Sequence, residues 1–218
     1  MPKLLIFGNQ QIAEIALYYF STDSNYKVEA FIVDKEYLDR DYIEGIPVYP
    51  LEDVVSKFSP QDYDFFIAVG YSQMNKLREQ TFTRIKSLGY KLATYISSKC
   101  TWLSQNPPGE NCFILENNTI QPFSKIGDNV TLWSGNHLGH HSVVEDHCFI
   151  SSHVVISGNV TLGHNSFLGV NATVIDGIQI APYTLLGAGV TITKHTEKHK
   201  VYVPQGFSVL DKKSDYFL

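Results

Sequence analysis

The chain has 218 residues, of which 44% are hydrophobic and 18% charged, and a formal net charge of −5. That is the make-up of an ordinary globular protein with material for one large or two small domains, and the negative balance argues against holding nucleic acid through an overall basic field. No stretch approaches the ~18 consecutive apolar residues of a membrane span, and MPKLLIFGNQ lacks the long apolar region of a secretory leader. Cys100, Cys112 and Cys148 are odd in number with no CxxC pair, so we expect reduced thiols, no structural zinc, no membrane contact and a cytoplasmic location.

The first half alternates strand and helix patterns. KLLIF (residues 3–7) reads as a strand ended by Gly8, and residues 10–20 carry apolar groups at helical spacing (Ile12, Ile15, Ala16, Tyr19). KVEAFIV (27–33) reads as a second strand ending at Asp34, 51–58 as a short helix, 63–69 as a third strand ended by Gly70, 72–88 as a helix and 91–96 as a further strand. Such alternation predicts a parallel sheet with helices on its faces, and ligands in such sheets sit beyond the carboxyl ends of the strands. Three turns mark that edge: Gly8-Asn9-Gln10, Asp34-Lys35 and Gly70-Tyr71-Ser72. Gly8 lets a ligand approach the backbone, the helix that follows favours an anion, and Asp34 is placed to accept from a ribose hydroxyl. The GxGxxG fingerprint is absent, which argues against a dinucleotide.

The second half is a six-residue repeat. Ile114, Ile120, Ile126, Leu132, Leu138, Val144, Ile150, Ile156, Leu162, Leu168, Val174, Ile180, Leu186 and Ile192 follow one another at an unbroken interval of six. Residues two places earlier are mostly small or β-branched, as at Ser142, Val154, Val160 and Ala172. A period this short signals a parallel β-helix in which each hexad supplies one flat strand and one corner, and three hexads close a triangular coil of 18 residues. A second phase holds Asn129, Gly135, His141, His147, His153, Asn159, Asn165, Asn171, Gly177 and Gly189, the residue types that tolerate positive φ, so this phase is the corner. His141, His147 and His153 therefore fall on three different corners, about 20 Å apart along the chain, too far to share a zinc ion within one chain. His140 and His164 precede the corner, and the repeat does not require an imidazole at either place.

The run LGHHSVVEDHCFISSHVVISGNVTLGHNSFLGVNATV, with YDFFIAVG (63–70) and FIVD (31–34), resembles the left-handed β-helix sugar acyltransferases of the PglD/NeuD-like group, hexapeptide-repeat enzymes that pair a small Rossmann-like domain with β-helix coils. The resemblance covers about residues 3 to 195. It implies a Rossmann-like nucleotide-sugar domain over 1–97, a left-handed β-helix catalytic domain over 98–195 and a tail over 196–218. It also implies a homotrimer with its active sites between neighbouring coils.

By this resemblance the protein transfers an acyl group from acetyl-CoA or another acyl-CoA to the amine of a nucleotide-linked amino-deoxysugar, with UDP, dTDP or GDP as carrier and no metal. His140 matches the general base, suited by an imidazole pKa near ~6.5 to take a proton at neutral pH. Gly8, Asn9, Gln10, Asp34, Lys35 and Gly70 match the nucleotide-binding turns. Gly158, Gly169, Val170, Gly187 and Ala188 match the donor groove, and Lys194, Lys198 and Lys200 are candidates for CoA phosphates. Many members carry an acidic residue after the base. Here His141 stands there, so an orienting carboxylate is expected from Glu145, Asp146 or a neighbouring chain. A second family histidine falls on Phe149, which leaves acyl groups other than acetyl open. Three further functions stay open: an O-acetyltransferase acting on a sialic-acid-type sugar, a hydratase of the β-helix carbonic anhydrase type with a three-histidine zinc site between subunits, and a non-catalytic scaffold.

Overall fold

The computed structural model describes residues 1–206. The first element is a parallel sheet built on β1 (Lys3–Phe7), β2 (Lys27–Val33) and β5 (Tyr63–Ile67), with α1 (Gln11–Thr22) between β1 and β2. β3 (Tyr42–Ile43) and β4 (Ile46–Pro50) extend one edge, with α2 (Val54–Lys57) after them, and α3 (Lys76–Ser87) leads to β6 (Lys91–Leu92) on the other. The strand order is β3-β4-β2-β1-β5-β6, parallel throughout except for the β3–β4 hairpin. β1 is apolar along nearly its whole length because both faces are covered. Leu4 and Ile6 pack with Ala13, Ala16 and Phe20 of α1, whereas Leu5 and Phe7 pack with Leu51, Val54 and Ile85 on the other side.

Three local expectations are corrected. The helix expected from Ser72 begins at Lys76, because Gln73, Met74 and Asn75 all adopt the left-handed conformation, with φ of 54°, 54° and 64°. The strand expected over 91–96 is two strands in two different sheets: Lys91–Leu92 joins β5, and Tyr95–Ile96 pairs with Phe113–Ile114 of the coil. β4, which carries Pro47 and Pro50, is a strand where none was expected.

From Tyr95 onward two-residue strands stack in parallel at a separation of 18 residues once the repeat is established: Thr119 lies beside His137, His137 beside Val155, and Val155 beside Thr173. Three flat faces result. The first contains His137–Leu138 and Val155–Ile156, the second Val143–Val144 and Thr161–Leu162, and the third Phe149–Ile150 and Phe167–Leu168. The hexad aliphatics fill the interior, with Ile114, Ile120, Leu132, Leu138, Ile150, Leu162, Leu168, Val174 and Leu186 fully inaccessible. Every expected corner residue from Asn129 to Gly177, and Gly189, has positive φ, His141, His147 and His153 among them at 59°, 62° and 59°. Stacking also fixes certain glycines. A Cβ on Gly169 would lie 2.7 Å from Ala188 N in the next coil, so the coil spacing of ~4.8 Å leaves no room for a side chain there. Strands continue past Ile192: Val201–Tyr202 pairs with Leu185–Leu186, and Ala181 N–H donates to Thr196 Oγ1. The rest of the expected tail, 207–218, lies outside the described residues.

The two halves meet on the third face and its corner. Asn75 Nδ2 donates to the carbonyls of Asn165 and Ser166, and Asn111 Oδ1 accepts from Ile67 N–H at 2.7 Å. Arg78 is fully buried between α3 and the coil. Its guanidinium donates to Thr131 Oγ1, Asn75 Oδ1 and the carbonyls of His147 and Cys148 and forms no ion pair among the described residues, and burial pushes its pKa down to about 10.

Candidate active site

The carboxyl ends of β1, β2 and β5 open into a cavity of about 320 Å³, lined by Gly8, Asn9, Gln10, Asp34 and Gly70 among others. Five of the six residues expected to touch a nucleotide are thus brought together. Lys35 stands exposed outside the lining. Gly8 has φ of 127°, and a Cβ there would lie 2.8 Å from the Ala68 carbonyl oxygen, so this turn accepts only glycine. Asn9 is held by its side-chain amide, which donates to the Tyr37 carbonyl (2.9 Å) and to Asp39 Oδ1 (3.2 Å). Asp34 is not a free acceptor: Arg84 of α3 pairs with it at 2.8 Å, and the same guanidinium lies 5.4 Å from the Phe7 ring centroid. Arg84, Tyr37 and Thr81 carry no local sequence signal that would link them to the turn at Gly8.

Ile12 is shared with a second hollow, a groove of about 380 Å³ between α1 and the third face of the coil. Its floor is aromatic. Phe149 and Phe167, eighteen residues apart, stack at 5.6 Å and 15°, and Tyr71 lies 4.9 Å and 4.8 Å from them. Trp133, Ser151, Ser152 and Val170 complete it. This pair of phenylalanines was readable from the repeat, because both occupy the outward place of their hexads.

His140 lies elsewhere, at the corner between the first and second faces, and is exposed. Its backbone N–H donates to Gln121 Oε1, and its Nδ1 is 3.1 Å from Nδ1 of His141, so one imidazole donates and the other accepts. The His141 ring is backed by Phe123 at 4.7 Å. Gly158 lies directly beneath the imidazole in the next coil: a Cβ on it would be 2.6 Å from His140 Nε2 and Cε1. Glu145 and Asp146, expected as orienting carboxylates, belong to the following corner and are bound to backbone amides there, Glu145 Oε2 accepting from His164 N–H and Asp146 Oδ1 from Asp128 N–H.

His147 is tucked under α3. Its Nδ1 is 2.9 Å from Asn129 Nδ2, and burial holds its pKa below the usual imidazole range. His153 sits over Gly135 on the third corner. A Cβ on Gly169 would meet Ala188 N at 2.7 Å, so coil packing by itself accounts for that glycine, whereas at Gly187 the nearest atom is Val203 Cγ1 at 3.1 Å; Val170 and Ala188 are exposed on the third corner. Lys194, Lys198 and Lys200 are exposed, and Lys198 Nζ stands 5.6 Å above the Tyr183 ring. Among the described residues no three His, Cys, Asp or Glu side chains are arranged to hold a metal ion, and no helix is long and apolar enough to cross a membrane. Burial pushes the thiols of Cys112 and Cys148 up to about 12, which leaves both unreactive.

Residues 123–158 match the family model described as "Bacterial transferase hexapeptide (six repeats)". Solved structures share the architecture along nearly the whole chain. The acetyltransferase domain of PglB from Neisseria gonorrhoeae FA1090 superposes with a TM-score of 0.81 at 21% identity over 94% of this chain and 97% of that one. The same domain in complex with acetyl coenzyme A gives 0.80 at 20% over 93% and 96%. A mutant of perosamine N-acetyltransferase from Caulobacter crescentus, in complex with CoA and GDP-perosamine, gives 0.81 at 20% over 94% of each.

Proposed function

We propose that this chain is an acyl-CoA-dependent N-acyltransferase acting on the amine of a nucleotide-linked amino-deoxysugar. In this reading the α/β half is a Rossmann-like nucleotide-sugar domain, and the left-handed β-helix beginning near Tyr95 carries the chemistry. The observation that carries the reading is a strand-edge cavity, ringed by Gly8, Asn9, Gln10, Asp34 and Gly70, that shares its Ile12 wall with a groove on the coil. A nucleoside diphosphate in the cavity has its phosphates at the start of α1, and the sugar beyond them reaches the aromatic floor. The likeness to acetyltransferase structures bound to CoA and to a nucleotide-linked amino sugar supports the same assignment.

Geometry also favours a homotrimer. The groove lies on the third face and His140 at the corner between the other two, the far side of a triangle whose sides are about 20 Å. A chain cannot bring its own imidazole to a sugar held in its own groove. A neighbouring copy must supply it, and the donor groove then runs between His140 and Gly158 of one chain and Val170 and Ala188 of the next.

In the reaction, Nδ1–H of His140 donates to Nδ1 of His141, which leaves the lone pair on Nε2 over Gly158. The neutral amine attacks the thioester carbonyl carbon while Nε2 takes its proton, and the charge that develops on the carbonyl oxygen is met by coil backbone amides. Attack forms the C–N bond, and collapse of the tetrahedral intermediate restores the carbonyl, breaks the C–S bond and passes the proton from Nε2 to the CoA sulfur. The protein works in the cytoplasm, where acyl-CoA is made.

The test is to incubate the purified protein with acetyl-CoA or longer acyl-CoAs and a panel of UDP-, dTDP- and GDP-linked amino sugars, following free thiol and the mass of the sugar product. Amine-dependent thiol release with an acylated sugar is expected. Thiol release that appears only with hydroxyl acceptors, or with none of the sugars, contradicts the reading.

A further inference from the structure

His140 and Gly158 share a corner column whose next member is Asp176, eighteen residues on. From the point where a Cβ of Gly158 would lie, Asp176 Oδ1 is 2.7 Å away and His140 Nε2 is 2.6 Å away. The imidazole and the carboxylate thus overhang the same glycine from opposite sides. Asp176 is exposed, and its side chain makes no hydrogen bond or ion pair among the described residues. The same place of the hexad holds Asp128 and Asp146 at the next corner, where their carboxylates accept from the Glu110 and Asp128 N–H groups, whereas Asp176 caps no backbone amide among the described residues and coil packing does not use its charge.

An alkylammonium that donates one hydrogen bond of about 2.8 Å to each of two acceptors, at a tetrahedral angle, holds those acceptors about 4.6 Å apart. The distances of 2.6 and 2.7 Å to one point over Gly158 hold the two acceptors no more than about 5.3 Å apart, and no ion pair of 4.0 Å or less joins them among the described residues, so their span brackets that requirement. An amino sugar also arrives at neutral pH largely as its ammonium, which a lone imidazole does not attract; the bound ammonium gives one proton through His140 Nε2 to solvent, and the neutral amine that remains is the one that attacks. We propose that Asp176 binds the ammonium of the acceptor sugar beside His140, in the gap that Gly158 leaves open, and so makes this corner select an amine over a hydroxyl. This rests on the reading of the chain as an amino-sugar acyltransferase. The titratable group facing the carboxylate across Gly158 is His140, and Lys194 stands eighteen residues further along the column.

Binding of nucleotide-linked amino sugars and of their hydroxyl counterparts to the intact oligomer, measured by calorimetry, tests the idea without relying on turnover. The native protein is expected to hold the amine form at least tenfold tighter than the hydroxyl form. Asp176→Asn should abolish that preference, leave the Kd for the nucleoside diphosphate alone unchanged, and raise KM for the amino sugar about tenfold with kcat within threefold. Gly158→Ala closes the gap without altering either polar group and should also lose the preference. If Asp176→Asn keeps both the amine preference and the native KM, the assignment of Asp176 is overturned while the acyltransferase reading stands. If the native protein binds amine and hydroxyl forms equally, the gap is not an ammonium site. If it binds the amine tightly but transfers no acyl group, the acyltransferase reading fails and Asp176 remains an amine-binding residue.

Discussion

Alanine at Gly158 and at Gly139 should produce opposite defects, although the two glycines sit in adjacent coils. The three atoms nearest to a Cβ on Gly158 all belong to the ends of two exposed side chains, His140 at 2.6 Å and Asp176 at 2.7 Å, and the residue is not in the left-handed region. Relieving those contacts to van der Waals distance moves the imidazole by about 1 Å, which the side chain does at little cost, within about 1 kcal/mol. The same displacement takes Nε2 out of line with the amine, and a 1 Å error at a reacting group costs on the order of 100-fold in rate. A Cβ on Gly139 instead meets backbone, with Gly158 N at 2.5 Å and the Ser157 carbonyl beside it. Two coils hydrogen-bonded to each other cannot yield, so Gly139→Ala should cost about 2 to 3 kcal/mol. Guanidinium denaturation and thiol release on the same preparations separate the two outcomes. Native turnover in Gly158→Ala, or equal loss of stability in both variants, refutes the placement of the base over Gly158.

Arg78→Met removes the donor that reaches the carbonyl of His147 from α3 and leaves Thr131 Oγ1 and Asn75 Oδ1 without that partner in a buried interface. The expected loss is about 3 kcal/mol, with the α/β half melting before the coil in calorimetry. His147 has its folded pKa lowered, chiefly by burial, so the unfolded chain takes up the proton more readily and stability falls as pH drops below about 6.5. His147→Asn places at that corner the residue found above and below it, Asn129 and Asn165, and should flatten this acid loss while leaving stability at pH 8 nearly unchanged, as read from denaturation midpoints between pH 5 and 8.

The coil was legible because its interior admits only aliphatic side chains and its corners demand positive φ, so both phases are written in residue type. Phe123 and Tyr183 take the corner conformation without belonging to the favoured types, and each is backed by a ring in the neighbouring coil, His141 at 4.7 Å and His199 at 4.8 Å. The start of α3 was not legible: the left-handed run at Gln73–Asn75 is held by Asn75 bonds to a coil ninety residues away, which no local periodicity records. The strand Ile46–Pro50 was hidden by its prolines, which are rare inside a sheet; here Pro50 is the last residue of the strand and Pro47 lies beside the two-residue outer strand β3. In the site, the turns at Gly8, Asp34 and Gly70 could be read because they end apolar runs, whereas the pairing of Arg84 with Asp34 across fifty residues could not. The column His140, Gly158, Asp176 was present in the spacing of eighteen, but its meaning emerges only when the three are stacked.

The claim that the site is assembled from two chains is tested most directly by mixing inactive variants. His140→Ala removes the proposed base, and Gly70→Phe fills the cavity beside Ile12, where a Cβ meets only Ile12 Cδ1 at 3.4 Å among the described residues. Each alone should release no thiol from acetyl-CoA in the presence of the amino-sugar panel. Dissociated, combined in equal amounts and reassociated, they should regain about one quarter of native activity, the statistical share of interfaces that pair an intact corner with an intact cavity in a ring of identical contacts. No recovery in mixed oligomers whose formation is verified by mass contradicts the account.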